Sequence, residues 1–111
     1  MLNHDVYSLL GLCARARKLC SGSELIDLIR KKRVYFVFIA EDASQNTKKK
    51  ISDKCRFYNV EFQVIGTSIE LSHAIGKENR MALGIIDKGF ANKIQSMLGG
   101  WYYGKKEKNR K

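Results

Sequence analysis

The apolar positions of this chain fall into two rhythms. Val6, Leu9, Leu10 and Cys13 recur at i, i+3, i+4 and i+7, one face of a helix that runs into A-R-A-R-K. There Arg15, Arg17 and Lys18 crowd the end at which the helix dipole favours cations. A second helix is expected to start at S-G-S-E (21–24) and to carry Leu25, Leu28 and Ile29 inward before R-K-K-R at 30–33. In that reading Ser21 is an N-cap and Glu24 closes a capping box. The run V-Y-F-V-F-I-A (34–40) is apolar without alternation, as in a central strand covered on both faces.

Beyond it, Asp42 and Gln45 have capping-box spacing ahead of a helix with Ile51 and Cys55 facing inward. Val60, Phe62 and Val64 alternate as a strand. Thr67 and Glu70 repeat the cap signature before Leu71, Ala74 and Ile75. Residues 81–86 predict a further strand, and Asp87 a cap for a last helix with Phe90, Ile94 and Leu98, stopped by Gly99 and Gly100. Strands separated by helices predict an α/β fold, a three-layer α/β/α sandwich with a small mixed, mainly parallel sheet of about four strands.

With 111 residues, 44% of them hydrophobic, the chain holds enough apolar material for one core. The division expected is a single domain over 1–98 and a basic aromatic tail over 99–111, G-G-W-Y-Y-G-K-K-E-K-N-R-K. Aromatics among cations suit either stacking on single strands or packing against the body.

The charge changes the picture more. Twenty-one Lys and Arg against eleven Asp and Glu give a net +10, of which residues 105–111 contribute +4, leaving +6 on the body. Such an excess points to a polyanion, with nucleic acid ahead of a membrane surface. No apolar run approaches the ~20 residues of a membrane span, and M-L-N-H-D-V lacks the basic and apolar regions of a signal peptide. A cytoplasmic protein, ribosome-associated or free, without a membrane partner is the expectation.

Cys13, Cys20 and Cys55 form no C-x-x-C pair, so they predict buried thiols rather than a disulfide framework or a zinc site. His4 and His73 are the histidines, and neither adjoins a nucleophile motif. Neither a G-x-G-x-x-G nor a P-loop is present. No cofactor, metal or small-molecule substrate is expected, and the function expected is not catalytic. Glu41 and Asp42 follow the central strand, where open α/β sheets place ligands, and they mark where an enzyme's carboxylates would stand. A third class is a protein-interaction or ribosome-proximal adaptor that binds RNA through charge alone.

S-G-S-E admits more than a cap. Gly22 allows close approach of a partner, and Glu24 is one acid among cations. A carboxylate accepts hydrogen bonds from base amino and imino groups, and splayed or non-Watson-Crick RNA exposes those edges. Lys48, Lys49, Lys50 and Lys54 add a positive helix face, read either as a solvated surface or as phosphate contacts.

Six segments carry a resemblance: L-L-G-L-C-A-R-A-R-K-L (9–19), S-G-S-E-L (21–25), F-I-A-E-D-A-S-Q-N-T-K-K-K (38–50), D-K-C (53–55), E-L-S-H-A-I-G-K (70–77) and D-K-G-F-A (87–91). In this order they resemble the kink-turn-binding ribosomal protein family, the L-seven-Ae group, over nearly all of the chain up to Leu98. The resemblance implies an α/β/α sandwich that grips a kink-turn with tandem sheared G·A pairs. It implies that Gly22, Ser23 and Glu24 fall on the family's glycine, its polar position and its guanine-contacting Glu. Glu41 and Asp42 fall on its strand-end acid pair. Residues 75–81 fall on the loop that packs on an extruded nucleotide, with Ile75, Gly76, Lys77, Arg80 and Met81 its expected contacts. Arg17, Lys18, Arg30 and Lys31 are the phosphate contacts expected beside them. One departure stands out: Asp27, or Leu28 if the gap is placed differently, occupies the place one turn after the Glu where such members usually carry Lys.

Overall fold

The computed structural model describes residues 3–98; the expected tail, 99–111, lies outside them. In chain order the elements are α1 (His4–Arg15), β1 (Leu19–Ser21), α2 (Glu24–Arg30), β2 (Phe36–Ile39), α3 (Gln45–Phe57), β3 (Glu61–Val64), α4 (Ser68–Ala74), β4 (Ala82–Ile85) and α5 (Lys88–Met97). The four strands form one sheet in the order β1-β4-β2-β3. Helices α1, α4 and α5 pack together on one side, α2 and α3 on the other, which is the expected three-layer sandwich.

β2 and β4 are buried at every position, because helices cover both of their faces. Phe36, Phe38, Phe62, Leu83 and Ile85 fill the centre of the core. Cys13, Cys20 and Cys55 are free and buried in it. Burial pushes each of these thiols up to about 12, with the Asp87 charge adding at Cys13 and the Glu24 charge at Cys20, so they are inert at neutral pH.

Two features differ from the reading of the pattern. The sheet is mixed, but mainly antiparallel: β2 and β3 are parallel, whereas β4 runs antiparallel to both β1 and β2. After β3 the chain passes through the short α4 and the 75–81 loop and re-enters the sheet at the end where β2 finishes, Ala40 N donating to Met81 O over 2.8 Å. Alternation of helix and strand does not reveal such a return. The second feature is β1, three residues pairing with β4 where only a link between two helices was expected.

Helix ends follow local chemistry. α1, α2, α3 and α4 each close with the paired hydrogen bonds of a Schellman turn. The left-handed residue is Arg17, Lys32, Asn59 and Gly76 respectively. Thr67 and Glu70 form the full capping box expected of them, and Asp87 accepts from Phe90 N as expected.

Candidate nucleic-acid interface

The turn between β1 and α2 is where the expected cap fails. Ser21 ends β1, paired with Leu83, and is held in the sheet. Gly22 then takes φ +71°, the left-handed region that costs glycine least, and swings the chain so that the helix begins two residues later. Ser23 becomes the N-cap but makes no side-chain cap bond. Glu24 is therefore the first helical residue and not the third, too early to reach back as in a capping box. Among the described residues no hydrogen bond or ion pair engages its exposed carboxylate.

The 75–81 loop stands against this turn. Ile75 is buried and anchors the loop to the core, while Gly76 at φ +71° and Asn79 at φ +57° bend it. Ser72, buried in α4, fixes the loop's far end: its hydroxyl accepts from Arg80 N at 2.8 Å and donates to Arg80 O at 3.3 Å. The Arg80 guanidinium lies over Gly22, 3.8 Å from where a Cβ would project. Arg80 Nε is buried with no hydrogen-bond partner among the described residues. With Met81, Asn79 and Thr47 it lines a cavity of about 220 Å³ that also touches Gly22. Met81 and Lys77 are exposed at the surface of the loop.

Glu41 and Asp42 leave the same end of the sheet, as β2 ends there. Glu41 N donates to Gly66 O at 2.7 Å. Asp42 does not cap α3; Ser44 does, accepting from Thr47 N at 3.1 Å. The reason is that Asp42 is engaged elsewhere, accepting from Ser68 N and from the Ser68 hydroxyl, each at 2.7 Å. The Ser68 hydroxyl first, then the Ser68 N–H, hold the Asp42 carboxyl below its ordinary value. Asp42 thereby ties the β2 end to the start of α4.

The expected cations are divided. Arg30 and Lys31, at the far end of α2, both pair with Asp27 at 3.3 Å, and these bonds draw the exposed Asp27 carboxyl down. Arg17 and Lys18 lie at the opposite end of the sheet from Gly22, where Lys18 O accepts from Ile86 N. Three strand residues, roughly 10 Å, separate them from the turn. His73 is exposed, with the Tyr7 hydroxyl bonded to its Nδ1. Ser72, Ser68, Asn79 and Thr47 were not singled out from the sequence, since a small polar residue in a helix or loop carries no periodic signal of its partner. No cluster able to hold a metal occurs among the described residues, and no described helix is long and apolar enough to cross a membrane.

Residues 4–95 match the Ribosomal protein L7Ae/L30e/S12e/Gadd45 family. The chain belongs to this family. It is 46% identical over 99 residues to the RNA-binding protein YlxQ of Bacillus subtilis, covering 88% of this chain and 99% of that one. It is 44% identical over 94 residues to the RNA-binding protein YlxQ of Enterococcus faecium, covering 84% and 90%. The likeness at that level makes it a YlxQ-type member of the group. Among solved structures, a protein with unknown function from Bacillus halodurans superposes with a TM-score of 0.82 at 37% identity, over 87% of this chain and 99% of that one. The Giardia lamblia 15.5kD RNA binding protein shares the fold, with a TM-score of 0.72 at 17% identity and 90% of each chain covered.

Proposed function

We propose that this protein is a non-catalytic RNA-binding protein that recognises structured, kink-turn-like RNA in the cytoplasm, as a ribosomal or ribosome-associated component. The observation that carries the reading is the meeting of two separate segments at one end of the sheet. The Gly22–Ser23 turn presents an unengaged Glu24 carboxylate, and the 75–81 loop, pinned through Ser72, lays Arg80 against that turn. Family membership and relatives named as RNA-binding proteins support it.

Each part has a physical task. Glu24 accepts from base amino and imino groups, which only an acceptor can satisfy. The Arg80 and Lys77 charges meet phosphate oxygens beside it. Met81 and Gly76 offer an apolar and sterically open face to a base turned out of its stack. The Asp42 carboxylate is engaged in holding the β2 end to the start of α4, so it supports the site rather than supplying half of a catalytic dyad.

The experiment is a titration at fixed salt against three RNAs: a kink-turn, the same RNA with its G·A pairs replaced by Watson-Crick pairs, and a plain duplex. The intact kink-turn binds tightest, and Glu24→Ala removes that preference, costing about 5- to 150-fold, the worth of a good base contact. Equal and steeply salt-dependent binding to all three would instead favour an adaptor that meets RNA through charge alone.

A further inference from the structure

α2 and α3 lie side by side on one face of the sheet, and a groove of about 630 Å³ runs between them. It touches the Gly22–Ser23 turn, so it leads directly out of the place where Glu24 stands. Ile26 and Ile51 give it an apolar lining, and its cations come from both walls: Arg30 from α2, Lys50 and Lys54 from α3.

The two walls differ in how much of their charge is compensated. On α2, Asp27 lines the groove too and binds both Arg30 and Lys31. On α3, Asp53 pairs with Lys49 at 3.0 Å and with Arg56 at 3.7 Å, away from the groove. Lys50 and Lys54 meet no carboxylate among the described residues. Like charges four residues apart destabilise a helix, and here they lie one turn, ~5.4 Å, apart on a groove wall. That is the spacing scale of neighbouring phosphates along a strand.

We propose that the α2–α3 groove holds the sugar-phosphate backbone of the RNA strand that leaves the Gly22–Glu24 turn, with Lys50 and Lys54 each neutralising one phosphate. The inference rests on the RNA-recognition reading above. Asp27 has a part in it: by pairing with both Arg30 and Lys31 it offsets part of the α2 charge, whereas Lys50 and Lys54 are not offset, and this directs the strand toward α3.

The test uses the full chain and a kink-turn RNA with one strand extended beyond the kink. Affinity is measured across salt concentrations for the parent, Lys50→Gln/Lys54→Gln, Lys88→Gln/Lys93→Gln and Glu24→Ala. Loss of two phosphate contacts lowers the log–log salt slope of the first variant by about 1.4–1.8. Lys88 and Lys93 lie on α5, across the sheet, and their variant keeps the parent's slope. Glu24→Ala keeps the slope but loses the preference for G·A pairs. An unchanged slope in Lys50→Gln/Lys54→Gln, with an unchanged melt, overturns the groove even where Glu24→Ala behaves as expected. An equal fall in both lysine pairs also overturns it, since general charge would then explain the effect. A fall confined to Lys50→Gln/Lys54→Gln supports the groove, and with a silent Glu24→Ala it would leave the groove standing and sink the base-reading turn.

Discussion

Ser21-Gly22-Ser23-Glu24 and Thr67-Ser68-Ile69-Glu70 both read as hydroxyl-x-x-Glu ahead of a helix, yet they fold differently. At the second, Thr67 is extended, its hydroxyl accepts from Glu70 N at 3.1 Å, and the Glu70 carboxylate accepts from Thr67 N at 3.0 Å. At the first, Ser21 is paired in the sheet and Gly22 at φ +71° turns the chain away before the helix starts. Glu70 is consumed by its own backbone, whereas Glu24 is left facing outward. The same four-residue pattern thus yields a structural cap or a presented acceptor, and what decides between them is whether the hydroxyl residue is held by a strand.

The comparison breaks most severely if the α2 start is pushed off the sheet. Gly84 in β4 lies beneath it, and a Cβ there would stand 2.6 Å from Leu25 Cδ1 and 2.8 Å from Cys20 Sγ. Both neighbours are buried, so Gly84→Ala overpacks the core by about 1–3 kcal/mol. A thermal melt should fall by several degrees, and the kink-turn preference should weaken because Leu25 adjoins Glu24. A variant with the parent's melt and the parent's RNA preference would mean that Leu25 moves aside freely and that the α2 start is not fixed from below.

Next come the two hydroxyls. Thr67→Ala removes a working cap and should cost about 1 kcal/mol by denaturant unfolding. Ser21→Ala removes a hydroxyl that caps nothing and should stay within about 0.5 kcal/mol of the parent. Equal losses at the two positions would restore the cap reading of Ser21. A melt of Glu24→Ala completes the set: it should leave the transition where it was, separating a stability role from an RNA role at that carboxylate.

These contrasts also show how far the sequence could be read. The sandwich, the buried β2, the Thr67 and Asp87 caps and the three buried thiols follow from periodicity and local signatures, because each depends on residues within a turn or two. The family motifs then pointed to Gly22–Glu24 and 75–81, and the fold brings those segments together. What escaped depends on distant partners. β1 exists because β4 pairs with it, Asp42 bonds Ser68 across 26 positions rather than capping α3, and Ser72 has a role only because Arg80 returns beside it. The division of the cations is of the same kind, since Arg17 and Lys18 are close to Gly22 in sequence but a strand's length from it in space.

The smallest expected effect sharpens the same point at Asp42. Its folded value lies below the ordinary 3.8, drawn down first by the Ser68 hydroxyl and then by the Ser68 N–H. A depressed carboxyl contributes stability that is fully present above its unfolded value and is lost as pH falls through the folded one. Melting temperature should therefore be flat from neutrality down to about pH 5 as far as this group is concerned, and begin to fall below about pH 4. Asp42→Asn keeps an acceptor for the Ser68 N–H but has no carboxylate to protonate. Its melt should start slightly lower at pH 7 and fall less steeply between pH 4 and 2. If parent and variant instead ran parallel through that window, the bond to Ser68 would contribute nothing that protonation can remove, and the tie between the β2 end and α4 would rest on the Glu41 N to Gly66 O bond.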